Sequence, residues 1–226
     1  MDHIKSNPES FRWQPGEMRV KCRTMKMIPT LILLACATLA GAAEPLAAGA
    51  RLPDVTVLTE KGVPVKLAAA LKSEPAVVLF YRGGWCPYCT KHLTAMMDIE
   101  EKLRGEGYSI FAISTDQPTK LAATPDREKL KYTLLSDSKM DAADAFGITF
   151  TVSDETLEKY KGYNIDLEAA SGEKHHKLPH PAVYIVDREG VIRFAHVNKD
   201  YKVRLKPEEV LAAAMEAKNP APKPTP

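Results

Sequence analysis

Cys86 and Cys89 stand three residues apart in the run Trp85-Cys86-Pro87-Tyr88-Cys89. A pair at this spacing can be a structural staple, half of a metal site or a redox-active dithiol. The other two cysteines, Cys22 and Cys36, lie in the N-terminal stretch. A closed zinc site needs four ligands, and the sequence offers no second Cys-x-x-Cys to supply them. The clustered His175, His176 and His180 of GEKHHKLPH read as solvated loop histidines rather than ligands. A disulfide across so short a loop removes little entropy from the unfolded chain. The redox pair is therefore the favoured reading, with no metal or other cofactor expected.

The elements around the pair support that chemistry. Ala76–Tyr81 is a continuous apolar run bounded by Pro75 and Gly83-Gly84, the pattern of a strand buried on both faces. Beyond the cysteines, Leu93, Met96, Met97, Ile99 and Leu103 recur at helical spacing as far as Gly105 and Gly107. The spacing predicts an amphipathic helix, with Pro87 in its first turn, where the missing N–H costs nothing. The cysteines then sit where a strand hands over to a helix N-terminus. Unpaired N–H groups and the positive end of the helix dipole favour a thiolate there. Cys86, nearer the cap, is expected to be the more exposed of the two.

The rest of the chain supplies a scaffold. Val55–Leu58 and Val63–Leu67 read as a hairpin across Glu60-Lys61-Gly62, and Tyr108–Ser114 as a second buried strand. Thr115-Asp116-Gln117-Pro118 reads as a turn and helix cap, and Tyr132–Leu135 as a short strand. Asp141–Phe146 reads as a short helix stopped by Gly147, and Asp154 as the cap of a helix over Glu155–Lys161. Ala182–Val186 and Val191–Val197 pair across Asp187-Arg188-Glu189-Gly190, and Pro207 opens a last helix to Lys218. Strands alternating with helices, then a hairpin and helix, predict an α/β fold. It has a central mixed β-sheet flanked by helices, and an N-terminal β-hairpin.

The chain has 226 residues and a formal charge of +2, but that excess comes from the first 43 residues, with six Lys/Arg against three Asp/Glu. The remainder is close to neutral, so no basic stripe invites nucleic acid. Met27–Ala43 is a run of 17 uncharged residues after a basic stretch, the pattern of a signal peptide ending in small residues. The polar residues before Met25 are long for a signal n-region and point to Met25 as the start. The expected organisation is an upstream segment and signal peptide over 1–43, one domain over 44–218, and a Pro-rich tail over 219–226. The expected location is the periplasm, after export. Two alternatives tie the protein to a membrane: an uncleaved apolar anchor, or lipidation of Cys36 in a box-like Leu33-Leu34-Ala35-Cys36.

Residues 51 to about 197 resemble the peroxiredoxin group of the thioredoxin fold, the alkyl hydroperoxide reductase/thiol-specific antioxidant family. The resemblance lies in LPDVTVL, VVLFYRGGWCPYC, FAISTDQPTKL, LLSDSKMDAADAFGI and PAVYIVDREGVIRF. Family peroxidases carry Pro-x-x-x-Thr/Ser-x-x-Cys. Laid on this chain, the peroxidatic cysteine falls on Cys89, the Thr/Ser on Cys86 and the Pro on Arg82. The place of a second family arginine coincides with Pro181, where thioredoxins have a cis-proline facing their disulfide. The segment is thus a hybrid: a peroxiredoxin-like body with a thioredoxin-like Trp-Cys-x-x-Cys.

The resemblance implies reduction of a peroxide through a Cys86–Cys89 disulfide, with a thioredoxin-like or other dithiol reductant closing the cycle. Arg82 would support the thiolate, or else be a solvated loop residue, and Trp85 would shield the pair. The alternative is an exported thioredoxin-like oxidoreductase, in which Cys86 attacks a partner's disulfide and Pro181 pairs with the partner's backbone.

Overall fold

The computed structural model describes residues 44–71 and 74–218. The apolar run Ala76–Tyr81 forms β3, and every residue of it is buried. Two parallel neighbours follow from it: β4 (Ser109–Ser114) pairs with β3, and β5 (Thr133–Ser136) pairs with β4. On the other side β8 (Ala182–Val186) runs antiparallel to β3, and β9 (Ile192–Val197) antiparallel to β8. The hairpin β1 (Thr56–Leu58) and β2 (Pro64–Lys66) closes the far edge against β5. The result is a seven-stranded mixed sheet ordered β2-β1-β5-β4-β3-β8-β9.

Alternation along β3 explains why its run is apolar throughout. Val77, Leu79 and Tyr81 face one core, shared with Cys89, Leu93, Met96 and Leu103 of α2 (Pro87–Gly105) and Val210 of α7 (Pro207–Lys218). Ala76, Val78 and Phe80 face a second core with Leu67 of α1 (Leu67–Ala70), Ala142 of α4 (Asp141–Ala145) and Phe146. At about 25 cal/mol per Å² of apolar surface, each fully buried Leu or Phe contributes roughly 1.5–3 kcal/mol. The central strand is the rigid rail on which the cysteine loop is mounted.

Several local expectations are corrected. Leu67 leaves the hairpin and starts α1. Within the expected turn and cap, Gln117 holds the cap position of α3 (Pro118–Leu121), and the Asp116 carboxylate instead accepts the Gly84 N–H. Ser153 rather than Asp154 caps α5 (Asp154–Gly162), its hydroxyl accepting the Thr156 N–H at 3.3 Å. A two-stranded sheet of β6 (Thr149–Thr151) and β7 (Lys177–Pro179), and the helix α6 (Leu167–Ser171), add to the elements read from sequence.

The loop histidines are half-buried and held by hydrogen bonds or stacking rather than fully solvated as expected. His175 Nδ1 accepts the Lys177 N–H, leaving Nε2–H to donate to the Ser138 carbonyl at 2.8 Å. His176 pairs with Glu168, and His180 stacks on Phe150 at 4.6 Å. Residues 1–43 and 219–226, with the expected signal peptide, alternative anchor and tail, lie outside the described residues.

Candidate active site

The loop between β3 and α2 owes its shape to glycine. A Cβ on Gly83 would overlap the indole nitrogen of Trp85, and one on Gly84 would lie 2.9 Å from Thr124 Oγ1 and 3.1 Å from Thr124 Cα. This close approach lets the Gly84 N–H donate to the Asp116 carboxylate at 2.7 Å. Burial pushes the Asp116 carboxyl up to about 6, against the pull of that N–H. The loop then enters α2 with Cys86 at the N-cap and Pro87 in the first turn, leaving Cys89 one turn in.

Both thiols are shut away. Cys86 is 2% and Cys89 1% exposed, so Cys86 is the more exposed of the two only by a margin that leaves both buried. Cys86 lies in the core cluster against which Trp85 packs. The two sulfurs act as a coupled pair. The Cys86 thiol is pulled down to about 6, first by hydrogen bonding from Cys89, against burial and with help from the Arg82 charge. Cys89 is pushed well above the ordinary thiol range, first by burial and then by its neighbour. One proton is shared, and near neutral pH the pair carries one negative charge.

Two guanidinium groups flank that charge. Arg82, placed in the family motif's proline position, is only 3% exposed, which excludes a solvated loop residue. It donates to the Tyr160 hydroxyl and lies over the rings of Tyr201, Trp85 and Tyr160, at 4.1, 5.0 and 5.5 Å. Arg204 Nη2 donates to Cys89 Sγ at 3.2 Å. Among the described residues no carboxylate forms an ion pair with either arginine.

Trp85 also packs on Tyr160 at 5.9 Å, closing one side of the loop. Pro181 reaches the site through its carbonyl, which accepts the Asn198 N–H at 3.1 Å and so ties down the peptide carrying Arg204. The structure thus brings Arg82, Trp85, Cys86 and Cys89 together directly, with Pro181 at one remove. Arg204, Tyr160 and Tyr201 were missed by sequence reasoning. No local pattern marks them, since Tyr160 comes from α5 and Tyr201 and Arg204 from the peptide after β9, all distant in sequence from the cysteines. Among the described residues no cluster of metal-ligating side chains accompanies the cysteines.

Residues 48–195 match the model of the AhpC/TSA family. The chain belongs to the AhpC/TSA family. Among its relatives is the chloroplastic peroxiredoxin Q of Suaeda salsa, 31% identical over 67% of this chain and 60% of that protein. Another is peroxiredoxin Bcp of Escherichia coli K12, 32% identical over 46% of this chain and 67% of that one. The chain thus spans less than two thirds of the Suaeda relative's length. Solved structures agree on the fold. Peroxidoxin BcpB of Mycobacterium tuberculosis superposes with a TM-score of 0.58 at 20% identity, over 75% of this chain and 97% of that one. Reduced Prx3 of Vibrio vulnificus in complex with H2O2 gives 0.61 at 17% identity, over 75% and 99%. The family's thioredoxin-like fold is this chain's fold.

Proposed function

We propose that this protein is a thiol-dependent peroxidase that reduces a hydroperoxide through a dithiol–disulfide cycle of Cys86 and Cys89. The observation that carries the reading is a buried thiol pair flanked by two guanidinium groups that, among the described residues, have no carboxylate partner. A thiolate is the peroxide-reactive form of cysteine.

The cycle balances with this chain's own groups. The proton of the pair passes along its hydrogen bond from Cys89 to Cys86. The Cys89 thiolate attacks the peroxide: an S–O bond forms, the O–O bond breaks, and the leaving alkoxide takes the proton held by Cys86. The Cys86 thiolate then attacks the Cys89 sulfenic acid and expels hydroxide. Two electrons leave the sulfurs and one alcohol and one hydroxide are formed. A dithiol reductant of thioredoxin type returns the two electrons. Cys89 is peroxidatic and Cys86 resolving, with Arg82 and Trp85 shaping the loop and Pro181 bracing the peptide opposite.

Burial supports a small oxidant over a protein disulfide. A peroxide needs to bring one oxygen to sulfur, whereas a partner protein must bring a backbone. The test is peroxide consumption with a dithiol reductant by wild type, Cys86→Ser and Cys89→Ser. Turnover is expected in wild type alone. Mixed disulfides through Cys86 in the Cys89→Ser protein, with wild type no faster toward peroxide than a free thiol, would return the reading to disulfide exchange.

We also propose export to the periplasm, on the basic stretch and uncharged run of residues 19–43. Purified native protein is then expected to begin near Glu44. An N-terminus retaining Met27–Ala43, or starting at Cys36, would mean an anchor or a lipoprotein instead.

A further inference from the structure

Arg204 stands 115 residues beyond Cys89 in the chain, on the peptide between β9 and α7. That peptide is fastened along its length. The Asn198 N–H is bonded to the Pro181 carbonyl, Tyr201 stacks on Arg82, and His92 Nε2 donates to the Leu205 carbonyl at 3.1 Å. The fastening aims the Arg204 fork at Cys89 Sγ, while its Nε is buried without a partner. Arg204 is half-buried, and a guanidinium partly withdrawn from water without an anion is unfavourable. The groups bearing on it do not provide that anion. Arg82 is itself cationic, and His92, a neighbour on α2, is held neutral by burial and by the Arg204 charge. His196 borders the same crevice and is neutral or cationic. Tyr160 and Tyr201 are phenols. The thiol pair remains.

We propose that Arg204 is a catalytic residue, the guanidinium that holds negative charge on Cys89 when the proton of the pair moves to Cys86. The inference rests on the reading of Cys86 and Cys89 as a reactive dithiol, but it concerns which sulfur each arginine serves. Arg82 bears first on Cys86 and Arg204 on Cys89. The resting charge favours the N-cap sulfur, so attack from Cys89 requires that the charge be accepted one turn deeper. A donor in contact with Cys89 lowers the cost of that transfer.

The test follows thiolate absorbance against pH in single-thiol variants, with no peroxide present. In a Cys86→Ser background, Arg204→Gln is expected to lower the Cys89 thiolate fraction at a given pH by at least about tenfold, the effect of removing an adjacent opposite charge. In a Cys89→Ser background the same change is expected to move Cys86 clearly less. Arg204→Lys in the first background is expected to recover part of the loss, which a purely structural role would not produce. Arg204→Met, which keeps the length without the charge, replaces the Gln variant if circular dichroism shows that variant unfolded. A Cys89 titration unaffected by loss of the Arg204 charge would overturn the proposal. A protein inert to peroxide whose Cys89 still follows Arg204 would leave it standing and remove the peroxidase reading instead.

Discussion

Arg82, at the end of β3, lies under the ring of Tyr201 from the peptide after β9, with 4.1 Å between guanidinium carbon and ring centroid. The contact joins the rail that carries the cysteines to the peptide that covers them. Tyr201 also meets Tyr88, on the first turn of α2, edge to face at 5.6 Å. A buried cation–π contact is worth about 2 kcal/mol, enough to keep the cover closed most of the time.

Tyr201→Ala is therefore expected to admit bulky thiol reagents. Reduced protein carrying it should react with a maleimide several-fold faster than wild type, and Tyr201→Phe, which keeps the ring, should not. Equal rates in all three would show that the stack does not guard the thiols.

The shared proton makes stability depend on pH. Cys86 is depressed from 9.0 to about 6 in the folded state, so the unfolded chain binds more protons between those values. The contribution is fully present above the ordinary thiol value and is lost as pH falls through about 6. Cys89, pushed up, has the opposite sign and acts above that window. Asp116, raised from 3.8 to about 6, loses its contribution as pH rises through that lower range, equally in both proteins compared. Urea melts of reduced protein should show stability rising above pH 6, with Cys86→Ser flattening the rise. Parallel profiles would contradict a lowered Cys86 pKa.

Gly84→Ala tests the loop. The added methyl presses on Thr124 Cα, so backbone must move and the Gly84 N–H loses its line to Asp116. A cost of about 1–3 kcal/mol is expected, as for overpacking elsewhere, read as a lower denaturant midpoint at unchanged slope. A midpoint within error of wild type would show that the loop yields freely.

How much of this was legible in the sequence follows from how local each cause is. β3 was readable because both of its faces are buried, leaving an unbroken apolar run. The start of α2 was readable because Pro87 and the stripe from Leu93 to Leu103 lie within one element. β6 and β7 were not, since each has three residues and each is a strand only because of the other, far along the chain. Ser153 and Asp154 are both good caps, and only the backbone turn decides between them. The cysteine pair announced itself by spacing. The groups that tune it, Tyr160 of α5 and Tyr201 and Arg204 of the peptide after β9, are surface-type residues far along the chain, and tertiary folding alone makes them part of a site.

Disulfide formation removes the negative charge that faces Arg204. The peptide 198–206 should loosen in the oxidised protein and tighten in the reduced one. Trypsin is expected to cut after Lys199, Lys202 or Arg204 several-fold faster in diamide-oxidised protein than in reduced protein. Equal cutting would mean that the thiolate charge does not hold the peptide.

The most direct measurement is a single turnover of reduced Cys86→Ser protein with hydrogen peroxide, in the presence of dimedone. Loss of one peroxide per chain is expected, far faster than with a free thiol, with a dimedone adduct on Cys89. A Cys86→Ser protein that leaves peroxide untouched, while Cys89→Ser consumes it and carries the adduct on Cys86, would contradict the assignment of Cys89 as the attacking thiol.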